Sequence, residues 1–425
     1  MGEHFEAIVV GAGPAGNAAA LTLARAGVDV LQLERAEYPG ARNATGALLY
    51  APALQELIPD FHDKAPLERR IVEQRTWTLD AHSHVGSHWR QQATAATVPD
   101  RYTILRGPFD AWLSSAVKAS GVRVAFATTV TDLIREDDGR VIGVRTNGDG
   151  EYYADVVVLG EGVEALVARR SGLREELEPA DVALTVKELR RLPADVLERR
   201  FDVEPGEGVI VEAAGTFAPG FSGTGFIYTN SESISVGVGC LVGEIVDSDV
   251  TPSELLDRFK RHPSIRALLA DTEVVQFTAQ LFPEGGYRVR PRLFGDGWVT
   301  CGDATQLNVA LYREGATIAL GSGRLAGETI VELRRHGRPM TARHLSLYRD
   351  KLERSPMLRE IRRHAAGEGV APEERPYVAV DPRRLPEAAS ALQRSTVPGE
   401  RRAQTTLLRG LLRSRRSNHV LRDAV

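Results

Sequence analysis

Gly11, Gly13 and Gly16 have the spacing of a turn that cradles a pyrophosphate. Gly11 permits the tight turn, Gly13 lets the backbone approach the phosphates, and Gly16 lets helix and strand pack closely. Pro14 and Ala15 complete this candidate cofactor-binding loop and open an Ala/Leu-rich helix to Ala26, whose unpaired amides and partial positive charge suit an anion. Glu34 stands where a carboxylate accepts the hydroxyls of an adenosine ribose. The chemistry predicted is dinucleotide binding. The elements that must position it are a buried strand over Phe5–Val10, the helix, and a second strand over Asp29–Glu34.

A second constellation is Trp298-Val299-Thr300-Cys301-Gly302-Asp303-Ala304, a buried strand that delivers Gly-Asp into a loop before a helix. It resembles the second FAD fingerprint of glutathione-reductase-type flavoproteins. That resemblance implies that Asp303 accepts hydrogen bonds from the ribityl chain and that Gly302 lies against the cofactor. Tyr312-Arg313-Glu314-Gly315-Ala316 and a helix through Arg335 follow. A third stretch, Ala154 to Gly162, has the position and strand of an intermediate fingerprint. There Glu161-Gly162 replaces the usual Asp-Gly, and Glu164-Ala165 replaces a small polar residue.

The remaining pattern predicts two or three domains in 425 residues. Strands are expected within Thr76–Arg90 and over Val122–Phe126, Val130–Ile134, Val141–Thr146 and Ala154–Leu159, with a helix over Phe109–Ser120. From Asp181 the texture changes to short strands (Val209–Glu212, Gly225–Tyr228, Ile234–Gly239) with turn signals between them, which read as an antiparallel sheet. A helix is predicted over Thr251–Leu269, with Thr251 as N-cap and Pro252 at its first position. The cofactor domain therefore comprises 1–75, 101–180 and 285–340. An antiparallel-sheet substrate, quinone or partner domain comprises 76–100 and 181–284. A helical extension with an Arg-rich tail occupies 341–425.

Composition is that of a globular chain, 43% hydrophobic and 26% charged. A net charge of -4 speaks against nucleic-acid partners. Two cysteines, Cys240 and Cys301, are too few for a disulfide scaffold or a four-cysteine cluster within the chain. No leader and no transmembrane run is read, so a cytoplasmic protein is expected, with at most peripheral membrane contact.

Further motifs carry a more specific resemblance: Arg42-Asn43-Ala44-Thr45-Gly46, Ala65 to Arg70, Glu73-Gln74-Arg75-Thr76-Trp77, Val186-Lys187-Glu188, Phe226-Ile227-Tyr228-Thr229-Asn230, Pro283-Glu284-Gly285-Gly286-Tyr287 and Arg313-Glu314-Gly315. With them the chain resembles, from residue 4 to residue 340, the FixC branch of the electron-transfer-flavoprotein:quinone oxidoreductases, within the geranylgeranyl-reductase-like FAD flavoproteins. The resemblance implies an α/β fold: a glutathione-reductase-type, p-hydroxybenzoate-hydroxylase-like FAD-binding Rossmann domain with an inserted antiparallel β-sheet α+β domain. It implies FAD as cofactor and an electron-transfer flavoprotein as donor. The acceptor is a quinone or a small ferredoxin-like subunit. The residues carried over are Glu34 and Arg35 for the adenosine, Arg42, Asn43 and Gly46 in the loop beside the flavin, Arg106 against the cofactor, and Val130 at the adenine through its backbone. Gly162, Gly302 and Asp303 serve the ribityl–pyrophosphate region, and Gly315 and Ala316 open a helix toward the flavin N1–C2=O edge.

No acid–base residue declares itself, as suits electron or hydride transfer by a cofactor; Glu314 and Tyr312 are the candidates near the ring. A rival reading is a stand-alone dehydrogenase, reductase or hydroxylase of a small molecule in a biosynthetic pathway. The altered residues at 161, 164 and 165, and Gln280 before the Pro283 motif, favour it. His82, His84 and His88 lack a carboxylate or thiol at metal-ligand spacing and read as polar surface, so no metal is expected. Leu407, Leu408, Leu411 and Leu412 with nearby arginines read as a docking helix or a loosely held end, with a basic amphipathic helix on an anionic membrane surface as the alternative.

Overall fold

The computed structural model describes residues 2–41, 46–91, 101–148, 150–215, 217–218, 223–284, 292–307, 315–356 and 358–359. Arg42, Asn43, Tyr312 and Glu314, the Gly285–Tyr287 motif and the Leu407–Leu412 stretch lie outside them.

The first layer is an eight-stranded sheet whose parallel part runs Trp298–Thr300, Glu151–Leu159, Glu3–Val10, Val30–Leu33 and Arg123–Ala125. Strand Glu3–Val10 lies inside it, and its last four residues, Ala7–Val10, are buried between both faces, which explains their apolar run. Ala7 and Val9 pack toward the helices Pro14–Arg25 and Gly315–Arg335. Phe5, Ile8 and Val10 pack with the hairpin Val130–Arg135/Val141–Thr146.

The two helices cross at very short range. A Cβ on Gly323 would lie 2.1 Å from the Ala15 carbonyl oxygen, and one on Gly327 would lie 2.9 Å from Thr22 Cβ. This contact fixes the helix that follows the Gly302-Asp303 loop against the helix that opens at Pro14. The two cofactor fingerprints, distant in sequence, thereby become one surface.

The second layer is a nine-stranded sheet in the order Glu273–Pro283, Val182–Arg191, Ser233–Leu241, Thr224–Thr229, Glu207–Gly215, Leu67–Leu79, Arg101–Ile104 and Ala47–Tyr50, with His84–Arg90 paired to Leu67–Leu79. It is antiparallel except for the long parallel ladder between Glu207–Gly215 and Leu67–Leu79. Strand Leu67–Leu79 runs across residue 75, and Ala47–Tyr50 and Arg101–Ile104 join this sheet, so the cofactor-side segments of the sequence contribute three of its strands.

One helix is shorter than the sequence suggests. The segment Thr251–Leu269 forms Pro252–Arg261, closed at its start by a Thr251–Glu254 capping box, and then a separate turn, Pro263–Arg266. Pro263 drives His262 into an extended conformation (φ -57°, ψ 132°) and ends the first helix there. No helix among the described residues is long and apolar enough to cross a membrane.

Candidate functional site

The glycine turn is built as its spacing predicts. Gly11 has φ +98°, and a Cβ there would lie 2.4 Å from the Gly160 carbonyl oxygen; a Cβ on Gly16 would lie 2.0 Å from the Gly11 oxygen. Both are packing requirements of the fold. Gly13 differs: a Cβ there would meet nothing within 4 Å, and its backbone angles are ordinary. The space it leaves is on the ligand side of the loop, above the amino end of the helix opened by Pro14. Glu34 reaches back to this turn, with Oε2 accepting the Ala12 amide at 2.7 Å and Oε1 accepting the Ala36 amide at 2.8 Å. Behind the loop lie two fully buried amides that the sequence reading missed. Asn17 donates to the Ala12 carbonyl at 2.8 Å, and Gln32 donates to Asn17 Oδ1 at 3.0 Å and to the Gly11 carbonyl at 3.1 Å. The only signal for them was polarity at positions where the helix and strand should be apolar.

The second fingerprint sits directly on the first. Gly302 has φ +68°, a Cβ there would be 2.7 Å from Ala15 Cβ, and its amide donates to Ser322 Oγ at 2.9 Å. Asp303 follows, half-buried; its carbonyl accepts the Gln306 amide at 3.0 Å, and its carboxylate makes no hydrogen bond or ion pair among the described residues. Burial pushes its carboxyl up to about 6, against the pull of Arg106 and Arg174. Arg106 is itself clamped by Asp110, with Nε and Nη2 each donating at 3.0 Å. Gly315 and Ala316 open the helix that packs beside this loop.

The third fingerprint shows how the two departures from the usual motif are accommodated. Glu161 Oε2 accepts the Val167 amide at 2.6 Å and Oε1 accepts the Ala168 amide at 3.0 Å, closing the start of helix Leu166–Arg170. Burial raises its carboxyl above the usual range, and the two amides and Arg174 oppose this. Glu164 pairs with Arg35 at 3.1 Å, and Gly162 has φ +79°. Arg174 joins the loops, donating to the Val163 carbonyl at 3.3 Å and the Ala304 carbonyl at 3.2 Å. Burial lowers this guanidinium to about 10, although Glu161 acts to raise it. No sequence signal distinguished Arg174 from its neighbours Arg169 and Arg170. Val130 is buried and pairs with Thr146 at the start of the hairpin; two residues before it, the Thr128 amide donates to the Glu34 carbonyl at 2.9 Å.

These residues fit FAD. Among the described residues Asp303 offers a half-buried carboxylate with no side-chain partner, the Gly13 turn offers open backbone, and Thr317 Oγ1 and Arg174 Nη2 are buried without hydrogen-bond partners. Buried polar groups are normally satisfied, so orphans gathered at two facing loops indicate a polar ligand.

The loop that ends at Gly46 ties this layer to the second sheet. Gly46 has φ +62°, a Cβ there would lie 2.0 Å from Ser235 Oγ, and its carbonyl accepts Lys187 Nζ at 3.0 Å. The ladder pairs set Thr76, Glu212, Phe226, Gly237, Lys187 and Thr278 in one row on one face of the sheet. Phe226 stacks on Tyr228 at 4.7 Å, and Glu212 accepts from Gln74 at 3.0 Å. The histidines expected at the surface lie at the far side: His84 stacks on Trp77 and meets Ser264 at 2.8 Å. Among the described residues no three potential ligands gather as a metal site.

The model of FAD dependent oxidoreductases matches residues 6–169. The chain is 52% identical to protein FixC of Bradyrhizobium diazoefficiens over 363 residues, 85% of this chain and 83% of that protein. It is 42% identical to protein FixC of Azotobacter vinelandii over 395 residues, covering 93% and 91%. Among solved structures, a geranylgeranyl bacteriochlorophyll reductase-like protein from Thermoplasma acidophilum superposes with a TM-score of 0.73 at 18% identity, covering all of both chains. The myxobacterial halogenase CndH gives 0.65 at 21%, covering 93% and 92%. These two likenesses show the fold: a Rossmann-type FAD-binding domain carrying a second sheet.

Proposed function

The chain belongs to the FixC family of FAD-dependent oxidoreductases, and we propose that it relays electrons from an electron-transfer flavoprotein to a quinone or to a small ferredoxin-like acceptor. The observation that carries this reading is the 52% identity to a FixC protein over 85% of the chain. FAD supplies the two-electron chemistry.

The chain's own residues bind and orient that cofactor. The Gly11–Gly16 turn gives backbone amides to the pyrophosphate, with the Asn17–Gln32 pair holding the carbonyl side of the turn. Glu34, whose carboxylate is held at the turn by the Ala12 and Ala36 amides, would accept the hydroxyls of the adenosine ribose. Asp303 would accept from the ribityl hydroxyls, and the Arg106–Asp110 clamp keeps a guanidinium beside it. The buried face that carries Phe226 and Tyr228 excludes water from the space next to the Gly46 loop.

A second reading, turnover of a small molecule, draws support from the polar row Thr76, Glu212 and Lys187 on that same face. Steady-state turnover separates the two. With reduced electron-transfer flavoprotein as donor and a soluble quinone analogue as acceptor, the relay predicts quinol formation that depends on FAD loading. FAD-loaded protein that the electron-transfer flavoprotein does not reduce contradicts the relay and favours the small-molecule reading; reduction without quinol formation points to the ferredoxin-like acceptor.

A further inference from the structure

Lys187 is an amine buried where its charge has little support. The side chain is 5% exposed, and its one hydrogen bond among the described residues is to the Gly46 carbonyl at 3.0 Å. An ammonium has three donors to satisfy. The strand neighbours are shaped around it: opposite in one ladder is Gly237, where a Cβ would lie 2.7 Å from Lys187 Cβ and 2.5 Å from the Phe226 ring. Opposite in the other ladder is Thr278, whose buried hydroxyl has no partner among the described residues. The charge that acts on the amine is Arg106, which is held by Asp110 and itself feels Asp303; Glu212 lies on the same face two strands beyond Gly237. Burial first, and then the like charge of Arg106, lowers the amine to about 7. A sheet position that called only for packing would carry an apolar residue, as the adjacent Val186 does on the other face.

Gly46, whose carbonyl accepts from Lys187, and Arg106, whose charge acts on it, are both residues that the resemblance assigns to the cofactor. We propose that Lys187 supplies the positive charge that meets the negative charge of the reduced flavin, and thereby favours reduction of the bound cofactor. The inference rests on FAD as the cofactor and is independent of which donor and acceptor the protein uses. Among the described residues the amine faces no counter-ion. When the flavin gains negative charge, a cation in this dry compartment is stabilised and stabilises the ring in return.

The test is an equilibrium reduction of FAD-loaded protein against a reference dye, with xanthine and xanthine oxidase as the electron source, for wild type, Lys187→Met and Lys187→Arg. At one dye poise, the ratio of reduced to oxidised flavin is expected to fall on the order of tenfold in Lys187→Met and to recover in Lys187→Arg. The affinity for oxidised FAD is expected to change far less. An unchanged ratio in Lys187→Met overturns the proposal. So does an equal loss of affinity for oxidised and reduced FAD, which makes the residue a general binding contact. If Lys187→Met does not fold, Lys187→Gln, polar but uncharged, carries the same comparison. The dye replaces the physiological donor, so a protein that an electron-transfer flavoprotein fails to reduce still reports on Lys187.

Discussion

Glu161 caps the helix that Ala165 opens. Ala165 stands at the N-cap position with a left-handed backbone (φ 43°) and no side-chain oxygen; Glu161 provides both acceptors, to Val167 at 2.6 Å and Ala168 at 3.0 Å. The two departures from the family fingerprint thus act together: the longer carboxylate does the capping that the small polar residue no longer does.

Shortening that side chain should undo the arrangement. Glu161→Asp withdraws the carboxylate by one methylene, and a lost cap costs about 1 kcal/mol. Thermal unfolding of the apoprotein should shift down by a few degrees, with weaker FAD binding because the Gly160–Gly162 turn packs on Gly11 and Gly16. An unchanged melting temperature contradicts the capping role.

Gly13 and Gly16 should behave oppositely although they share one motif. Gly13→Val adds a side chain into open space, so the apoprotein should keep its stability while losing FAD. Gly16→Ala puts a methyl 2.0 Å from the Gly11 oxygen and should destabilise the fold itself. Flavin content and thermal unfolding, measured together, distinguish them. Normal flavin loading in Gly13→Val means that the loop is misassigned.

Asp303 sets a pH dependence with a definite sign. Burial raises its pKa from 3.8 to about 6, so its contribution to apoprotein stability is largest below 3.8 and is lost as pH rises through about 6. Asp303→Asn should flatten that window. Above pH 6 it should make the apoprotein more stable, by roughly 2–3 kcal/mol, while weakening FAD binding. Denaturant unfolding at several pH values checks both signs; a variant less stable than wild type at pH 7 contradicts the assignment.

The two described thiols should be silent in the folded protein. Burial pushes Cys301 up to about 12 and Cys240 up to about 11, so little thiolate exists near neutral pH. A thiol reagent should label neither until denaturant is added, and then both. Rapid native labelling of Cys301 contradicts the packing of the strand before Gly302.

The cofactor layer was legible because its signals are local: strand Glu3–Val10 ends in the buried apolar run Ala7–Val10, the glycines follow at once, and Asp303 follows a buried strand. Helix Thr251–Leu269 was overdrawn because its apolar periodicity continues past Pro263, while backbone sterics at His262 stop the helix. The membership of Leu67–Leu79, Ala47–Tyr50 and Arg101–Ile104 in the second sheet depends on long-range pairing that no local pattern encodes. Lys187 was visible only as part of a motif; its isolation follows from the ladder register and from the Gly46 loop arriving from far away in sequence.

The relay itself is tested most directly by rapid anaerobic mixing of FAD-loaded protein with reduced electron-transfer flavoprotein and, separately, with NADH or NADPH, following flavin absorbance. The account predicts fast bleaching by the flavoprotein, none by the nicotinamides, and recovery of the colour on adding a quinone analogue. Bleaching by a nicotinamide with no response to the electron-transfer flavoprotein would contradict it.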